Sequence, residues 1–221
     1  MEKKSFRAKE TVLVIDTATA ALVLGIGADD EVLASYFAVV ERNHLELHTS
    51  AIDNLFKKAG LKYEDLTGVV AGLGPGSLIG ARVGVVAAKT LAQVLKLPLI
   101  GIPTLDSIAA SDKGEGLKVA TLDALKNELY WAFYEGKKRV SDYRIGSFDV
   151  FDSEISNRKA RILGTAIQTY RNAFLKLPNI KITRTIYPSP ASMVKLGLEK
   201  LRRKQVSSIY KLEPIYLRAP V

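Results

Sequence analysis

Gly72-Leu-Gly-Pro-Gly-Ser-Leu-Ile-Gly-Ala-Arg-Val-Gly84 is a glycine-dense turn set between an apolar run, Gly68-Val-Val-Ala-Gly72, and a helix-forming segment that continues to Lys96. Gly74 and Gly76 flank Pro75 and permit backbone angles closed to residues that carry a Cβ, the mark of a close backbone approach. Ser77 stands where an N-cap belongs, its hydroxyl placed to accept from an otherwise orphaned first-turn amide. Beyond it Gly80, Gly84, Ala88 and Ala92 recur every four positions and lay a nearly smooth stripe along one helical face. A glycine in mid-helix costs about 1 kcal/mol against alanine, so two of them require a compensating contact. Three contacts would serve: an anion at the helix N-terminus, tight packing on the chain's own sheet, or a partner helix docked on the stripe. The spacing meets neither Gly-x-Gly-x-x-Gly nor the phosphate-loop pattern ending in Gly-Lys-[Ser/Thr], and no lysine follows Gly80.

Working outward, Thr11-Val-Leu-Val-Ile15 ending at Asp16, Leu22-Val-Leu-Gly-Ile26 and residues 32–39 are β-rich runs separated by short polar turns, the pattern of a meander. Asn43 and Glu46 form a capping box ahead of Leu47, Ala51, Leu55 and Ala59 at near-helical spacing, and Gly60 ends that helix. With the strand Pro98-Leu-Ile-Gly-Ile102, the first part of the chain reads β-β-β-α-β-α-β. After a break near residues 103–117 the order partly repeats. Lys118-Val-Ala-Thr-Leu122 ends at Asp123, residues 128–134 alternate as a strand, and a third run lies within 143–150. A strand at 161–164, a helix at 166–175, a strand at 180–185 and a helix opened by Ser189-Pro190 and running to 203 complete it. The expectation is an α/β protein of two lobes, residues 1–103 and a reduced 104–221, built on a duplicated β-β-β-α-β-α plan.

A chain of 221 residues with 48% hydrophobic content and near-zero mean hydropathy can bury a sizeable core. No apolar run reaches the roughly 20 residues of a membrane span, and residues 1–10 are polar and basic, so a cytoplasmic protein without a membrane partner is expected. Zero cysteines exclude disulfides, a thiol nucleophile and every cysteine-bearing metal site. The formal charge of +9 arises from 32 Lys and Arg against 23 acids, with clusters at Lys3/Lys4/Arg7/Lys9, Lys137/Lys138/Arg139, Arg158/Lys159/Arg161 and Lys200/Arg202/Arg203/Lys204. Such clusters favour contact with a polyanion, against the simpler reading of a solvated basic face. None of them carries the interleaved aromatics of an RNA-recognition motif.

Two lobes, each with an aspartate at its first hairpin, describe a clamp in which carboxylates hold magnesium and glycine-bearing turns approach phosphates. Here the turns are Thr17-Ala-Thr-Ala20 and Ala124-Leu-Lys-Asn127, whose Cβ atoms stand where a phosphate would need bare amides. Asp16 by itself reads better as a turn carboxylate bonding nearby amides. His44-Leu-Glu-Leu-His48 puts two imidazoles on one helical face, but Glu46 lies roughly 200° around from His44. Ser77 lacks the Gly-x-Ser-x-Gly context of a nucleophile. Tyr130, Trp131, Phe133 and Tyr134 crowd one strand as a packed sheet would.

Val14-Ile-Asp16-Thr17, Arg42-Asn-His44, Gly74-Pro-Gly-Ser77 with Gly80, Arg82 and Gly84, Asp123-Ala124 with Glu128 and Tyr130, and Pro214-Ile-Tyr-Leu-Arg218 together resemble the bacterial TsaB (YeaZ) family, the non-catalytic paralogue of the TsaD threonylcarbamoyl transferase. The family form Gly-Pro-Gly-Ser-Phe-Thr-Gly departs here to Leu78 and Ile79. The resemblance implies an actin/Hsp70-like (ASKHA, RNase H-like) fold and a part in forming threonylcarbamoyladenosine, 3' to the anticodon of tRNAs that read codons beginning with A. It implies a scaffold rather than an enzyme, with no catalytic, cofactor or metal residue of its own. ATP and metal belong to the partners, TsaD in a heterodimer and TsaE through it; alone, the chain is expected to form a homodimer, and whether it touches tRNA within the complex is left open by the sequence. The docking face it implies combines His44, Leu47, His48, Ala51 and Leu55 of the first helix with Gly80, Gly84, Ala88 and Ala92 of the second. Asp16, Thr17, Gly74, Pro75, Gly76, Ser77, Arg82, Asp123 and Arg218 match the family motifs. TsaD uses a His-x-x-x-His metal pair, which His44 and His48 imitate in spacing; TsaB proteins lack the second histidine, so no metal role is carried over. The rival readings are a kinase or ATPase of the same fold holding magnesium on Asp16 and Asp123, a metallopeptidase on the two histidines, and a stand-alone RNA-binding module.

Overall fold

The computed structural model describes residues 10–40 and 44–218, with side chains in the first helix from His48 onward. The Asn43 cap and the side chains of His44, Glu46 and Leu47 lie outside the described residues. Strands β1 (Thr11–Asp16) and β2 (Ala21–Ala28) are buried along their whole length, which is why they read as continuous apolar runs. With β3 (Glu31–Val39), β4 (Gly68–Gly72) and β5 (Leu99–Ile102) they form a sheet of order β3-β2-β1-β4-β5. Alternate residues serve opposite faces. Leu13, Ile15, Leu24 and Val69 meet α1 (His44–Ala59) and α2 (Leu78–Val94) on one side. Val12, Val14, Val23 and Val70 meet α6 (Pro190–Arg202) on the other.

The second sheet has β6 (Leu117–Asp123) at its centre, flanked by antiparallel β7 (Glu128–Glu135) and parallel β10 (Ala160–Gly164), with β11 (Ile180–Ile182) beyond. The short strands β8 (Lys138–Arg139) and β9 (Arg144–Ser147) both pair with β7. The run β7-β6-β10-β11 repeats β2-β1-β4-β5, so each lobe carries the same strand order, as the duplicated plan requires. One face packs Val119, Trp131 and Ile162 against Phe151 of α4 (Phe148–Ile155) and Phe174 of α5 (Ala166–Phe174), with Trp131 edge-on to Phe151 at 90°. The other packs Ala120, Leu122, Tyr134 and Leu163 against Leu105, Ile108 and Ala109 of α3 (Thr104–Ser111).

Three expectations are corrected. The segment after Pro103 is helical (α3), and the third run of the second lobe ends at Ser147, whose hydroxyl caps α4; both helices have eight residues, too few for apolar periodicity to stand out. The division at residue 103 separates the two sheets but not the packing, because α6 returns to the first sheet. Gly27 and Gly197 make room for it: a Cβ on Gly27 would lie 2.2 Å from Val194 Cγ1, and one on Gly197 2.5 Å from Val70 Cγ2. The tail follows, with Ser207 N donating to Leu99 O (2.7 Å) and Ile215 N to Leu73 O (2.8 Å). Within the second lobe, Tyr134 and Tyr143 both donate their hydroxyls to Asp106 of α3 (2.8 and 2.7 Å). Ser111 and Ser192 join α3 to α6 through their hydroxyls at 2.7 Å.

Candidate docking face and interlobe cleft

The glycine turn packs on the chain's own first hairpin. Ser77 N donates to Ala18 O (2.7 Å), and a Cβ on Gly76 would stand 2.0 Å from that same oxygen. One turn later Gly80 faces Thr17: its Cβ would lie 2.1 Å from Thr17 O, while the Thr17 hydroxyl donates to Gly80 O at 2.6 Å. A Cβ on Gly84 would meet Thr17 Oγ1 at 2.5 Å. Ala88 and Ala92 are fully buried under the sheet. Ser77 is the N-cap expected, accepting from Gly80 N at 3.1 Å. The small-residue stripe therefore exists so that α2 can lie close against the end of β1. Ala51 and Leu55 likewise point into the first core. The docking expectation for Ala51, Leu55, Gly80, Gly84, Ala88 and Ala92 is corrected: all six are spent within the chain. His48 is half-buried near the start of α1.

The far side of α2 carries a second apolar stripe. Ile79, Val83, Val86 and Val94, with Thr90 between the last two, follow one another at helical spacing, and Ile79, Val86 and Val94 are 71%, 60% and 71% exposed. A helix that is apolar on two sides is built to be covered on both. That sign was in the sequence, masked by the more conspicuous glycines on the opposite side. Arg82, beside this stripe, donates through Nε to the Tyr216 hydroxyl (2.9 Å) and so ties α2 to the tail.

Asp16 sits beneath the hairpin at 0% exposure. It accepts from Ala18 N (2.8 Å) and from the Thr104 hydroxyl (3.0 Å), and a Cβ on Gly72 would overlap its carboxyl group at 2.2 Å. Thr104 is held in turn by Gly74 N at 3.1 Å. Burial pushes the carboxyl up to about 6 against the opposing pull of those two donors. A carboxylate so enclosed does not fit a magnesium ligand, which needs an oxygen open to the ion and its waters. Asp123 stands at the rim of the cleft between the lobes, accepting from Leu125 N (2.7 Å) and the Thr169 hydroxyl.

This cleft encloses about 620 Å³ between the first hairpin, the start of α2, the β6–β7 turn, the start of α5 and the tail. Leu78, Ile79, Leu125, Tyr130 and Tyr216 give it largely apolar walls. The β6–β7 turn holds Leu125, Lys126 and Asn127 consecutively in the left-handed region, with φ between 51° and 61°. Three such residues without glycine are costly, and local hydrogen bonds close the turn, Leu125 N donating to Asp123 (2.7 Å) and Glu128 N to Leu125 O (3.0 Å). Just beyond it, Glu128 pairs with Arg218, which fastens the tail to the second lobe. Among the described residues no group of three or more His, Asp or Glu side chains is placed to share a metal ion. No helix among them is long and apolar enough to cross a membrane.

Residues 35–211 match the family model described as TsaD, tRNA N6-adenosine threonylcarbamoyltransferase. The chain is 26% identical over 219 residues to the tRNA threonylcarbamoyladenosine biosynthesis protein TsaB of Bacillus subtilis, covering 94% of each. It is 33% identical over 213 residues to an uncharacterized protein of Mycobacterium tuberculosis, covering 95% of this chain and 92% of that one. YeaZ from Pseudomonas aeruginosa superposes with a TM-score of 0.81 at 19% identity, over 94% of this chain and the whole of that one, and so has the same fold. The duplicated strand order, the Gly-Pro-Gly-Ser turn docked on the first hairpin and these end-to-end matches agree. The chain belongs to the TsaD family, where its likeness is to the TsaB (YeaZ) members.

Proposed function

We propose that the chain is a non-catalytic scaffold subunit of a tRNA threonylcarbamoyladenosine-forming assembly, pairing with a TsaD-type transferase that carries the nucleotide and metal chemistry. The observation that carries this reading is the exposed stripe of α2. Its apolar side chains form a contiguous row on a protein whose core is already complete, the usual sign of an interaction surface. The expected location of the partner face thus moves to the other side of the same helix. The enclosure of Asp16 supports the division of labour, since the residue that would hold magnesium in a kinase or ATPase of this plan is committed to the hairpin. In the absence of the transferase a second copy can use the same stripe as an isologous contact.

Val86→Asp tests the docking face. The side chain points to solvent, so stability should change by no more than about 0.5 kcal/mol. Burying an unpaired carboxylate against a partner should weaken pairing at least tenfold. Gel filtration with the transferase from the same source measures it; undiminished pairing of the folded variant defeats the assignment. Reconstituted tRNA modification with TsaD, TsaE and a source of threonylcarbamoyl-adenylate, with and without the chain, tests the function itself. Equal activity in both would end the scaffold reading.

A further inference from the structure

We infer that the end of the second sheet remote from the interlobe cleft is a docking surface for the phosphate backbone of RNA. This rests on the chain being part of a tRNA-modifying assembly. Strands β6, β10 and β11 run parallel and begin together, with Leu117 opposite Ala160 and Ala160 opposite Ile180, while antiparallel β7 finishes there with Glu135 opposite Leu117. Every segment that brings the chain to this end is therefore side by side with the others. Those segments carry Lys113, Lys137, Lys138, Arg158, Lys159 and Lys176, all exposed. The exposed carboxylates among them are Glu115 and Glu135.

The local acids neutralise only part of this row. Asp112, which lies beneath it, is consumed by Arg161 through a two-pronged contact (2.9 and 2.8 Å) and by Lys118. Glu199 answers Lys137 at 2.9 Å. Arg158 lies over the Phe133 ring at 5.0 Å, a contact that fixes the guanidinium without cancelling its charge. Lys159 and Lys176 have no ion-pair partner among the described residues. At the opposite, cleft end of the same sheet the signs are mixed, with Asp123 and Glu128 beside Lys126 and Arg218. The four strand ends at about 4.8 Å spacing span about 15 Å, wide enough to meet several successive phosphates. Like charges gathered at one end of a sheet repel one another in the free protein, and a polyanion removes that cost while releasing its own counterions. Contact through phosphates also explains why no interleaved aromatics accompany the cluster, because backbone docking needs no base stacking.

Fluorescence anisotropy with an unmodified tRNA transcript, titrated over a range of KCl for the chain alone and mixed with its transferase, provides the test. Replacing two phosphate-contacting cations should lower the slope of log affinity against log salt by about 1.5. Lys159→Ala/Lys176→Ala should show that drop and bind about tenfold more weakly at low salt, whereas Lys57→Ala/Lys62→Ala, an equal charge change on the first lobe, should not. An equal drop in both double variants, no drop in either, or no salt-dependent tRNA binding in either sample overturns the assignment. So does binding to phosphatidylserine vesicles without binding to tRNA. Gel filtration of the same samples reads transferase pairing separately: variants that pair normally but keep the wild-type slope refute the RNA surface alone, and a wild-type chain that fails to pair refutes the scaffold reading.

Discussion

Gly80→Ala separates the two roles that the small-residue stripe could have. If the stripe were a free docking surface, adding a methyl group would stabilise the isolated chain by about 1 kcal/mol through helix propensity. The structure predicts the reverse. The new Cβ would stand 2.1 Å from Thr17 O, and the hairpin would have to retreat by about 1 Å to restore an ordinary contact. Overpacking of this kind costs about 1–3 kcal/mol. The retreat also stretches the 2.6 Å bond from the Thr17 hydroxyl to Gly80 O, in a place where neither group can find water, adding about 1–3 kcal/mol. Less the propensity gain, the loss is about 1–5 kcal/mol. Urea unfolding followed by circular dichroism measures it, with the shift in midpoint at unchanged slope as the readout. A variant as stable as wild type, or more so, would refute the account of α2 seated on the first hairpin. Pairing of the folded variant with the transferase should survive, because Gly80 is buried against Thr17 while Ile79 and Val86 face solvent.

Asp16→Asn is a test of buried charge. The folded carboxyl titrates near 6 and the unfolded one near 3.8, so between those values the native state binds the extra proton and wild-type stability falls as pH rises. The stability of Asp16→Asn relative to wild type should increase by about 2 kcal/mol from pH 4 to pH 6.5 and level off above pH 7; a flat difference across that range, read from urea midpoints, would deny that the carboxyl is desolvated. Asp112→Ala should cost about 3 kcal/mol in thermal or urea unfolding at neutral pH, since it leaves Arg161 and Lys118 facing each other beneath the sheet. Arg161 holds the Asp112 carboxyl below its usual range, so this penalty should shrink as pH falls through that lowered value, and a penalty independent of acidification would exclude the ion pair as its cause.

How far the sequence could be read depended on the length of the pattern and on what lay opposite it. Buried strands such as β1 and β2 announce themselves because both faces are covered, and α2 and α6 are each opened by a serine whose hydroxyl caps the helix in the structure. Helices α3 and α4 were not legible, being two turns long and set directly after a proline and a strand. The stripe of Gly80, Gly84, Ala88 and Ala92 was legible as a close contact, but a run of small residues says only that something approaches, not what. Thr17 settled it, and nothing in the local sequence pairs residue 17 with residues 80 and 84. The fate of Asp16 was hidden for the same reason: its enclosure depends on Gly72 and Thr104, distant in sequence and brought together by the parallel strands β1, β4 and β5.

The return of α6 to the first sheet makes that lobe a discontinuous unit, closed only by residues near the far end of the chain. Residues 104–189 can leave the ribosome and assemble their sheet as an unbroken stretch, whereas Val12, Val14 and Val70 remain uncovered on one side until Met193, Val194 and Leu198 have been synthesised. A sheet begun at β1 is thus finished only when α6 has emerged. A premature stop anywhere before α6 would strand the earliest-made strands with an apolar flank open to aggregation, however intact the rest of the polypeptide.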